Sequence, residues 1–244
     1  MTVLPEASSA YRERPSRLAG AVLWTRTVTG RDRVVSVLPD GCIDLMWRAG
    51  TLFVAGPDTT AFRPDAPIGT AYAGIRFFPG SGPTVLGVRA DELRDRRVAL
   101  DDLWPARTVR GLTGLIDDAE DRTEALESIA LARAAEVGPP DPLLRQIVAA
   151  MDSGLSVAAT AARTGVNTRL LHRRSLAAFG YGPKTLARIL RMQRAVAMAR
   201  AGATPADTAA GTGYADQAHL SREVRELAGM SLGQLLTRGP EEGS

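Results

Sequence analysis

The chain of 244 residues has very little cysteine and histidine, and this scarcity excludes several kinds of site. A single cysteine, Cys42, leaves no partner for an internal disulfide and no cysteine cluster for zinc, which fits a reducing compartment. With His172 and His219 as the only histidines, a histidine-rich metal site is excluded, and a Ser-His-Asp triad would have to use one of the two. We therefore expect no metal and no cofactor.

Long hydrophobic runs are also missing, since no stretch of 18 apolar residues occurs. The first residues lack an apolar segment behind a basic tip, so neither secretion nor membrane insertion is indicated. Hydrophobic residues make up 45% of the chain and charged residues 23%, which is enough apolar material for a packed core. We expect a cytoplasmic protein of two domains.

Acidic residues are absent from one long stretch, Ser153 to Ala206, although it holds nine basic residues. Residues 1–140 carry a net charge of −2, whereas residues 141–244 carry +5. Uncompensated positive charges repel one another, so a polyanion is the natural partner; a solvated basic face without a partner is the alternative. The nine residues are Arg163, Arg169, Arg173, Arg174, Lys184, Arg188, Arg191, Arg194 and Arg200.

The N-terminal half alternates between apolar runs and turn residues in the manner of short strands. Strands are predicted over residues 34–38, 42–47, 51–55 and 71–78, with the turn Pro39-Asp40-Gly41 between the first two. Helical spacing follows over residues 83–88 and 91–96 and, as one acidic helix, over residues 112–136. Because Gly138-Pro139-Pro140 interrupts this pattern, we divide the chain into residues 1–138 and residues 139–244.

The second domain has helical spacing throughout and contains an internal repeat. Residues 160–165 recur 48 positions later as residues 208–213, with one difference in six. In each copy a small Ala-rich helix ends at a glycine, and Asn167 or Asp216 then caps a second helix, which is the pattern of a helix-turn-helix. A helix predicted over residues 183–200, about 27 Å long, joins the copies and would hold both second helices near successive major grooves.

Spacing along each second helix separates inward from outward positions. Leu171, Leu220 and Val224 face inward. Arginine, glutamine, serine and histidine side chains suit base edges and phosphates, so the outward residues are our candidate DNA contacts. They are Thr168, Arg169, His172 and Arg173 in the first copy and Gln217, Ala218, Ser221, Arg222 and Arg225 in the second.

Five segments of the second domain carry a family resemblance: residues 160–167, 171–174, 180–184, 191–195 and 213–225. Through them residues 155–236 resemble the AraC/XylS family of bacterial transcription regulators. The resemblance implies two helix-turn-helix units joined by one long helix, the same groove-facing residues except Thr168, and Arg225 near phosphate. Two positions depart from the family pattern. Ser175 replaces a usual aromatic residue, whose place Leu176 or Phe179 would fill, and residues 229–232 replace a Gly-x-Thr-Pro turn.

The N-terminal half is similar to the sensing domains of one branch of that family, through residues 37–45, 55–59 and 74–80. The resemblance implies a β-rich module, cupin-like or a small antiparallel barrel, that senses an effector or dimerises. The predicted fold class is thus α+β, with a β-rich N-terminal domain that includes helices and an all-α C-terminal domain.

The predicted function is a sequence-specific, DNA-binding transcription regulator, an activator, whose N-terminal domain modulates binding in response to an effector. Its expected partners are a double-stranded DNA operator, RNA polymerase, a small-molecule effector and a second copy of the chain, with no membrane. Two alternatives stay open for residues 1–138. One is a dimerisation or protein-partner module without a small ligand, and the other is an enzyme fused to a DNA tether.

Residues that could carry other chemistry are few. Trp24, Trp47, Arg76 and Phe78 are the candidate effector contacts, with Arg76 gripping an anionic group; the alternative is that the aromatic residues are core and Arg76 pairs with an acid. The carboxylates Asp40 and Asp44 fit a turn and a strand better than a catalytic pair, and Cys42 fits a small buried residue better than a redox sensor. Since phosphate-binding loops and nucleotide fingerprints are also absent, we do not expect an enzyme.

Overall fold

A computed structural model of the chain describes residues 11–29 and 36–237. In this part of the chain the N-terminal region forms one antiparallel sheet of six strands, in the order β1-β2-β5-β3-β4-β6. The strands are β1 (Tyr11–Pro15), β2 (Ala21–Thr27), β3 (Ile43–Arg48), β4 (Thr51–Ala55), β5 (Ala71–Phe77) and β6 (Arg97–Ala99).

Alternation of side chains gives the sheet one apolar face. Leu23, Ile75 and Leu45 lie side by side on β2, β5 and β3, and all three are buried. Helices of the same region cover this face and complete its hydrophobic core. They are α1 (Gly82–Leu86), α2 (Ala90–Leu93), α3 (Ala106–Asp117) and α4 (Arg122–Val137), with a 3₁₀ turn at Leu100–Asp102.

The predicted strands at 42–47, 51–55 and 71–78 are confirmed to within one residue at each end. Of the strand predicted at 34–38, Val34 and Val35 lie outside the described residues, and Ser36 to Leu38 make only an isolated bridge from Val37 to Phe62. Strands β1, β2 and β6 are not among the predicted strands.

The single acidic helix predicted over 112–136 is wrong, because two helices occupy this part of the chain. The first, α3, ends at Asp117, and α4 begins at Arg122. Asp121 caps α4, since its carboxylate accepts hydrogen bonds from the backbone N–H groups of Thr123 and Glu124. An Asp three residues before Glu is a helix-start signal, and it marks the break that helical spacing alone passes over.

The region after Pro140 is helical, as predicted, and packs around a second hydrophobic core. The described helices there are α5 (Pro142–Asp152), α6 (Val157–Arg163), α7 (Thr168–Phe179), α8 (Pro183–Arg200), α9 (Pro205–Thr212), α10 (Gln217–Ala228) and α11 (Leu232–Thr237). The α+β class is therefore confirmed. The proposed boundary at residue 138 falls between α4 and α5 and stays a prediction. Among the described helices, none has the length and hydropathy needed to cross a bilayer.

Candidate nucleic-acid interface

The first helix-turn-helix consists of α6 and α7. Gly165 has a φ of +69°, which favours glycine, and it allows the chain to turn directly after α6. The Val166 N–H donates to the Ala161 carbonyl, and the side chain of Asn167 accepts from the Leu170 N–H at 2.8 Å. The cap therefore fixes the start of α7, as the sequence predicted.

The second unit, α9 and α10, repeats this geometry. Thr204 caps α9, Gly213 has a φ of +79°, and the Tyr214 N–H donates to the Ala209 carbonyl. Asp216 then caps α10 by accepting from the His219 N–H at 2.6 Å. Two copies of one local sequence thus fold into two copies of one structure.

The predicted division between inward and outward positions holds in both units. Leu171, Leu220 and Val224 are buried in the second core. Ser221 is half-buried, and the other candidate DNA contacts are exposed: Thr168, Arg169, His172, Arg173, Gln217, Ala218, Arg222 and Arg225. Their exposure gives each unit a polar surface at the first turns of its second helix.

The two histidines lie in different units. His172 packs beside Gly182, where an added Cβ would come within 2.9 Å of its ring. The His219 ring meets the Tyr214 ring edge-on, with 5.2 Å between their centroids. Each histidine therefore has a local packing contact within its own unit.

Helix α8 joins the units as predicted, with Pro183 in its first turn and 18 residues in all. Its contact with α10 centres on Glu223, a carboxylate that is only 7% exposed. Arg191 donates to Glu223 Oε1 at 2.6 Å through Nη2, and Arg188 donates to Oε2 at 3.0 Å through Nε. Burial favours the neutral acid, but the hydrogen bonds from Arg191 and Arg188 outweigh it, so the pKa of Glu223 lies below its ordinary value.

Glu223 is not among the predicted site residues, although its position in α10 carries a signal. The residue lies three positions after Leu220 and four before Leu227, so it is on the apolar face of α10. A charged residue on such a face needs partners, and α8 supplies them. This ion-pair cluster fixes the angle between the joining helix and the second recognition helix.

The nine basic residues of the acid-free stretch are not all uncompensated, contrary to the prediction. Acids from outside the stretch pair with four of them in space. Arg174 pairs with Asp141, Arg188 with Glu223 and Glu226, Arg191 with Glu223, and Arg194 with Asp152. The paired residues lie 32 to 42 positions apart in the sequence, so the local charge pattern does not indicate the pairs. Among the described residues, Arg169, Arg173, Arg222 and Arg225 have no ion-pair partner, so each recognition helix carries two exposed and unpaired arginines.

The two departures from the family pattern have simple structural outcomes. Phe179 is fully buried in the core of the first unit, whereas Leu176 is half-buried. The second helix still ends sharply, because Gly229 has a φ of +68° and Ser231 caps α11 through Gln234. The fold of both units is thus kept.

Ser175 is fully buried, and its hydroxyl has no hydrogen-bond partner among the described residues. We expect Ser175→Ala to raise the free energy of unfolding by about 1 kcal/mol, because an unpaired buried hydroxyl is costly and alanine favours helix. Denaturant unfolding followed by circular dichroism measures this change. Ser128→Ala is the matched control, since the exposed Ser128 hydroxyl donates to Glu124 within α4. A destabilised Ser175→Ala protein would contradict the prediction.

The four candidate effector contacts do not converge on one site. Trp24 and Arg76 share a face of the sheet, where both bind Asp44: Trp24 Nε1 donates at 2.7 Å and Arg76 Nε at 3.2 Å. Trp47 lies on the opposite face and donates to Asp117 at 2.7 Å. Phe78 follows β5 and is 45% exposed. Arg76 pairs with Asp44 and Asp40, as the alternative reading expected.

A cleft of about 360 Å³ lies where the N-terminal region meets α5 and α7. Pro83, Thr84 and Val88 line one wall. Leu144, Arg174 and Ala178 line the other, and two of these belong to the first recognition helix. A small molecule in this cleft would contact both halves of the chain.

Comparison with known proteins adds two family matches. Residues 160–238 match the family described as a helix-turn-helix domain, and residues 19–99 match a domain of unknown function (DUF6597). No curated protein matches the chain.

Similar solved structures include two of ToxT from Vibrio cholerae. The unsaturated fatty acid-bound wild type from strain SCE256 is 10% identical over 92% of this chain and 97% of that chain, with a TM-score of 0.49. The O395 protein is 7% identical over 94% and 98%, with a TM-score of 0.47. The C-terminal domain of AraT, a response regulator from Geobacillus stearothermophilus, is 20% identical over 43% and 93%, with a TM-score of 0.38. At these low identities and scores the likenesses carry no conclusion about function.

The family match over residues 160–238 covers the same residues as the two helix-turn-helix units. The match and the two units agree with the predicted resemblance to the AraC/XylS regulators. The chain therefore carries a helix-turn-helix domain over residues 160–238, behind a β-rich N-terminal region.

Proposed function

We propose that the chain is a cytoplasmic transcription regulator that reads a specific operator with both recognition helices, α7 and α10, in successive major grooves. The observation that supports this most directly is the placement of two like units, each with exposed polar first turns, at the two ends of α8. At 1.5 Å per residue, α8 is about 27 Å long, which is close to the ~34 Å between successive major grooves on one face of DNA.

Charge supports the same proposal. Arg169 and Arg173 on α7, and Arg222 and Arg225 on α10, are exposed arginines that no acid of the described chain neutralises. Arginine can bind guanine with two hydrogen bonds, or bind phosphate, whereas paired surface arginines would first have to give up a carboxylate. The proposed contacts also include Thr168, His172, Gln217, Ala218 and Ser221.

Selection from a randomised duplex pool tests this function. The full chain is titrated against the pool at two salt concentrations, and the bound fraction is amplified and sequenced. We expect two short half-sites about one helical turn apart, whose enrichment survives the higher salt. Binding without enrichment that vanishes with salt would contradict sequence-specific reading and leave only a nonspecific tether.

We further propose that the N-terminal region modulates DNA binding in response to a small effector. The cleft against α7 favours this role, because Ala178 of α7 lies on its wall and a ligand carboxylate there would take the place of Asp91 at Arg89 or of Asp141 at Arg174. Small carboxylic acids are the first probes to screen by thermal shift, and saturable stabilisation is the expected result. Concentration-dependent self-association of the full chain without any such ligand would favour the dimerisation or protein-partner module instead. RNA polymerase and a second copy of the chain remain predicted partners.

A further inference from the structure

The N-terminal region contacts both recognition helices at their C-terminal ends. Arg94 donates through Nη1 to the carbonyl of Gly180, the residue that ends α7, at 3.2 Å. The Ala61 N–H donates to the carbonyl of Leu227, in the last turn of α10, at 2.7 Å. We refer to these two hydrogen bonds as the end contacts. Carbonyl groups at helix ends lack partners within the helix, so each end contact satisfies a group that needs one.

The end contacts lie at the opposite helix ends from the DNA-facing residues of the first turns; Arg225 lies in the same last turn as Leu227, and its side chain stays exposed. Both α7 and α10 have 12 residues, so about 18 Å separates their two ends. Arg169 and Gln217 lie in the first turns, whereas Gly180 and Leu227 lie at the other ends. The N-terminal region can therefore hold both helices without covering the surfaces proposed to enter the grooves.

Close packing accompanies the end contact on α7. Gly180 has a φ of +83°, and a Cβ added there would lie 2.6 Å from Pro57 Cγ and 3.0 Å from the Ala90 carbonyl oxygen. Gly229 ends α10 with a similar φ of +68°, yet an added Cβ there would meet no described atom within 4 Å beyond its own chain neighbours. Only the first of these two glycines is therefore required by the N-terminal region.

The joining helix is held from the same side. Gln193 of α8 donates through Nε2 to the Pro39 carbonyl at 2.8 Å, and Leu38 is buried in the core of the helical region. A Cβ at Gly41 would lie 3.3 Å from the Tyr181 hydroxyl, so this turn packs tightly against the residues that precede α8. Residues 38–41 thus contact the helical region at and before α8, while the end contacts reach both recognition helices.

We propose that the N-terminal region is a positioning element that fixes α7 and α10 relative to each other, and that it thereby sets which half-site spacing the chain accepts. This inference rests on the proposed function, since it concerns how the same two helices are placed. Without the end contacts, each unit would still bind its half-site, but the pair would tolerate other spacings.

Matched substitutions in the full chain separate positioning from stability. Gly180→Ala adds a Cβ that would clash with Pro57 and the Ala90 carbonyl and so forces this contact apart, and Gly229→Ala is its control because both changes place alanine at a positive φ. Arg94→Ala removes one end contact, and Arg96→Ala is its control because the Arg96 side chain donates to the nearby Glu92 carbonyl within the N-terminal region. If Gly180→Ala impairs folding, the comparison of Arg94→Ala with Arg96→Ala still tests the inference.

The measurement is the dissociation constant for the selected operator, for operators with the spacer changed by about two base pairs, and for a single half-site. The spacing ratio is the constant for the altered spacer divided by that for the selected one. We expect Gly180→Ala to lower this ratio about tenfold and Arg94→Ala to lower it about threefold, with single half-site binding unchanged within about twofold. Both controls should keep the wild-type ratio.

Wild-type spacing ratios in Gly180→Ala and Arg94→Ala would overturn the inference and leave the proposed function standing. A wild-type chain that shows no preferred spacing, or that selects no pair of half-sites, would overturn both. A loss of affinity that is equal for all spacings would show a merely stabilising role and would also overturn the inference.

Discussion

Glu223→Ala is expected to lower the free energy of unfolding by about 3 kcal/mol, because breaking a buried ion pair leaves its partners uncompensated. Arg191 and Arg188 both donate to this carboxylate, and their side chains are 24% and 34% exposed. The two remaining arginines, both on α8 and three residues apart, would lose the carboxylate that they share. Denaturant unfolding of the full chain, followed by circular dichroism, measures the loss.

Glu226→Ala is the matched control. Glu226 also pairs with Arg188, at 2.8 Å, but its side chain is 66% exposed. Exposed ion pairs contribute about 1 kcal/mol or less, so we expect little change. Equal effects of the two substitutions would show that Glu223 does not hold α10 against α8.

The same carboxylate gives the stability a pH dependence. The pKa of Glu223 is lower in the folded chain than its ordinary value, so the folded state favours the charged form. Its contribution is therefore fully present above the unfolded pKa and is lost as the pH falls through the folded pKa. We expect the stability difference between the wild type and Glu223→Ala to be constant above about pH 5 and to shrink in acid.

Arg222→Ala is expected to weaken binding to the selected operator by about 1–3 kcal/mol and to relax specificity in one half-site, if this arginine reads a base. Arg173→Ala should do the same in the other half-site, because Arg173 and Arg222 occupy equivalent positions of α7 and α10. Dissociation constants for the selected operator and for random DNA, at one salt concentration, measure both effects.

Loss of charge alone needs its own control, because every phosphate contact adds to affinity. Arg145 lies on α5, outside both units, and is exposed. We expect Arg145→Ala to have little effect on the ratio between selected and random DNA. Equal loss on both DNAs for Arg173→Ala or Arg222→Ala would remove the base-reading role from these arginines and leave them as phosphate contacts.

The helix-turn-helix units could be predicted because their signals are local. Gly165 and Gly213, with the caps Asn167 and Asp216, determine each turn within a few residues, and the repeat doubles the signal. The break between α3 and α4 is equally local, but helical spacing on both sides of Asp121 concealed it.

Contacts between distant residues could not be predicted in this way. Strand alternation indicates the face of a residue, but not which strand lies beside it. The prediction therefore places Trp24 and Trp47 in one effector site, although they lie on opposite faces of the sheet. The acid-free stretch likewise gave no sign that Asp152 would pair with Arg194. The end contacts join residues more than 80 positions apart, such as Arg94 and Gly180, and need the folded chain.

Hydroxyl-radical footprinting of the full chain on the selected operator tests the central claim most directly. If α7 and α10 of one chain enter successive major grooves, two protected windows will lie on one face of the DNA, about one helical turn apart. Arg173→Ala should then weaken one window and Arg222→Ala the other. A single protected window, or the same window lost in both variants, would contradict the claim that α7 and α10 enter separate major grooves.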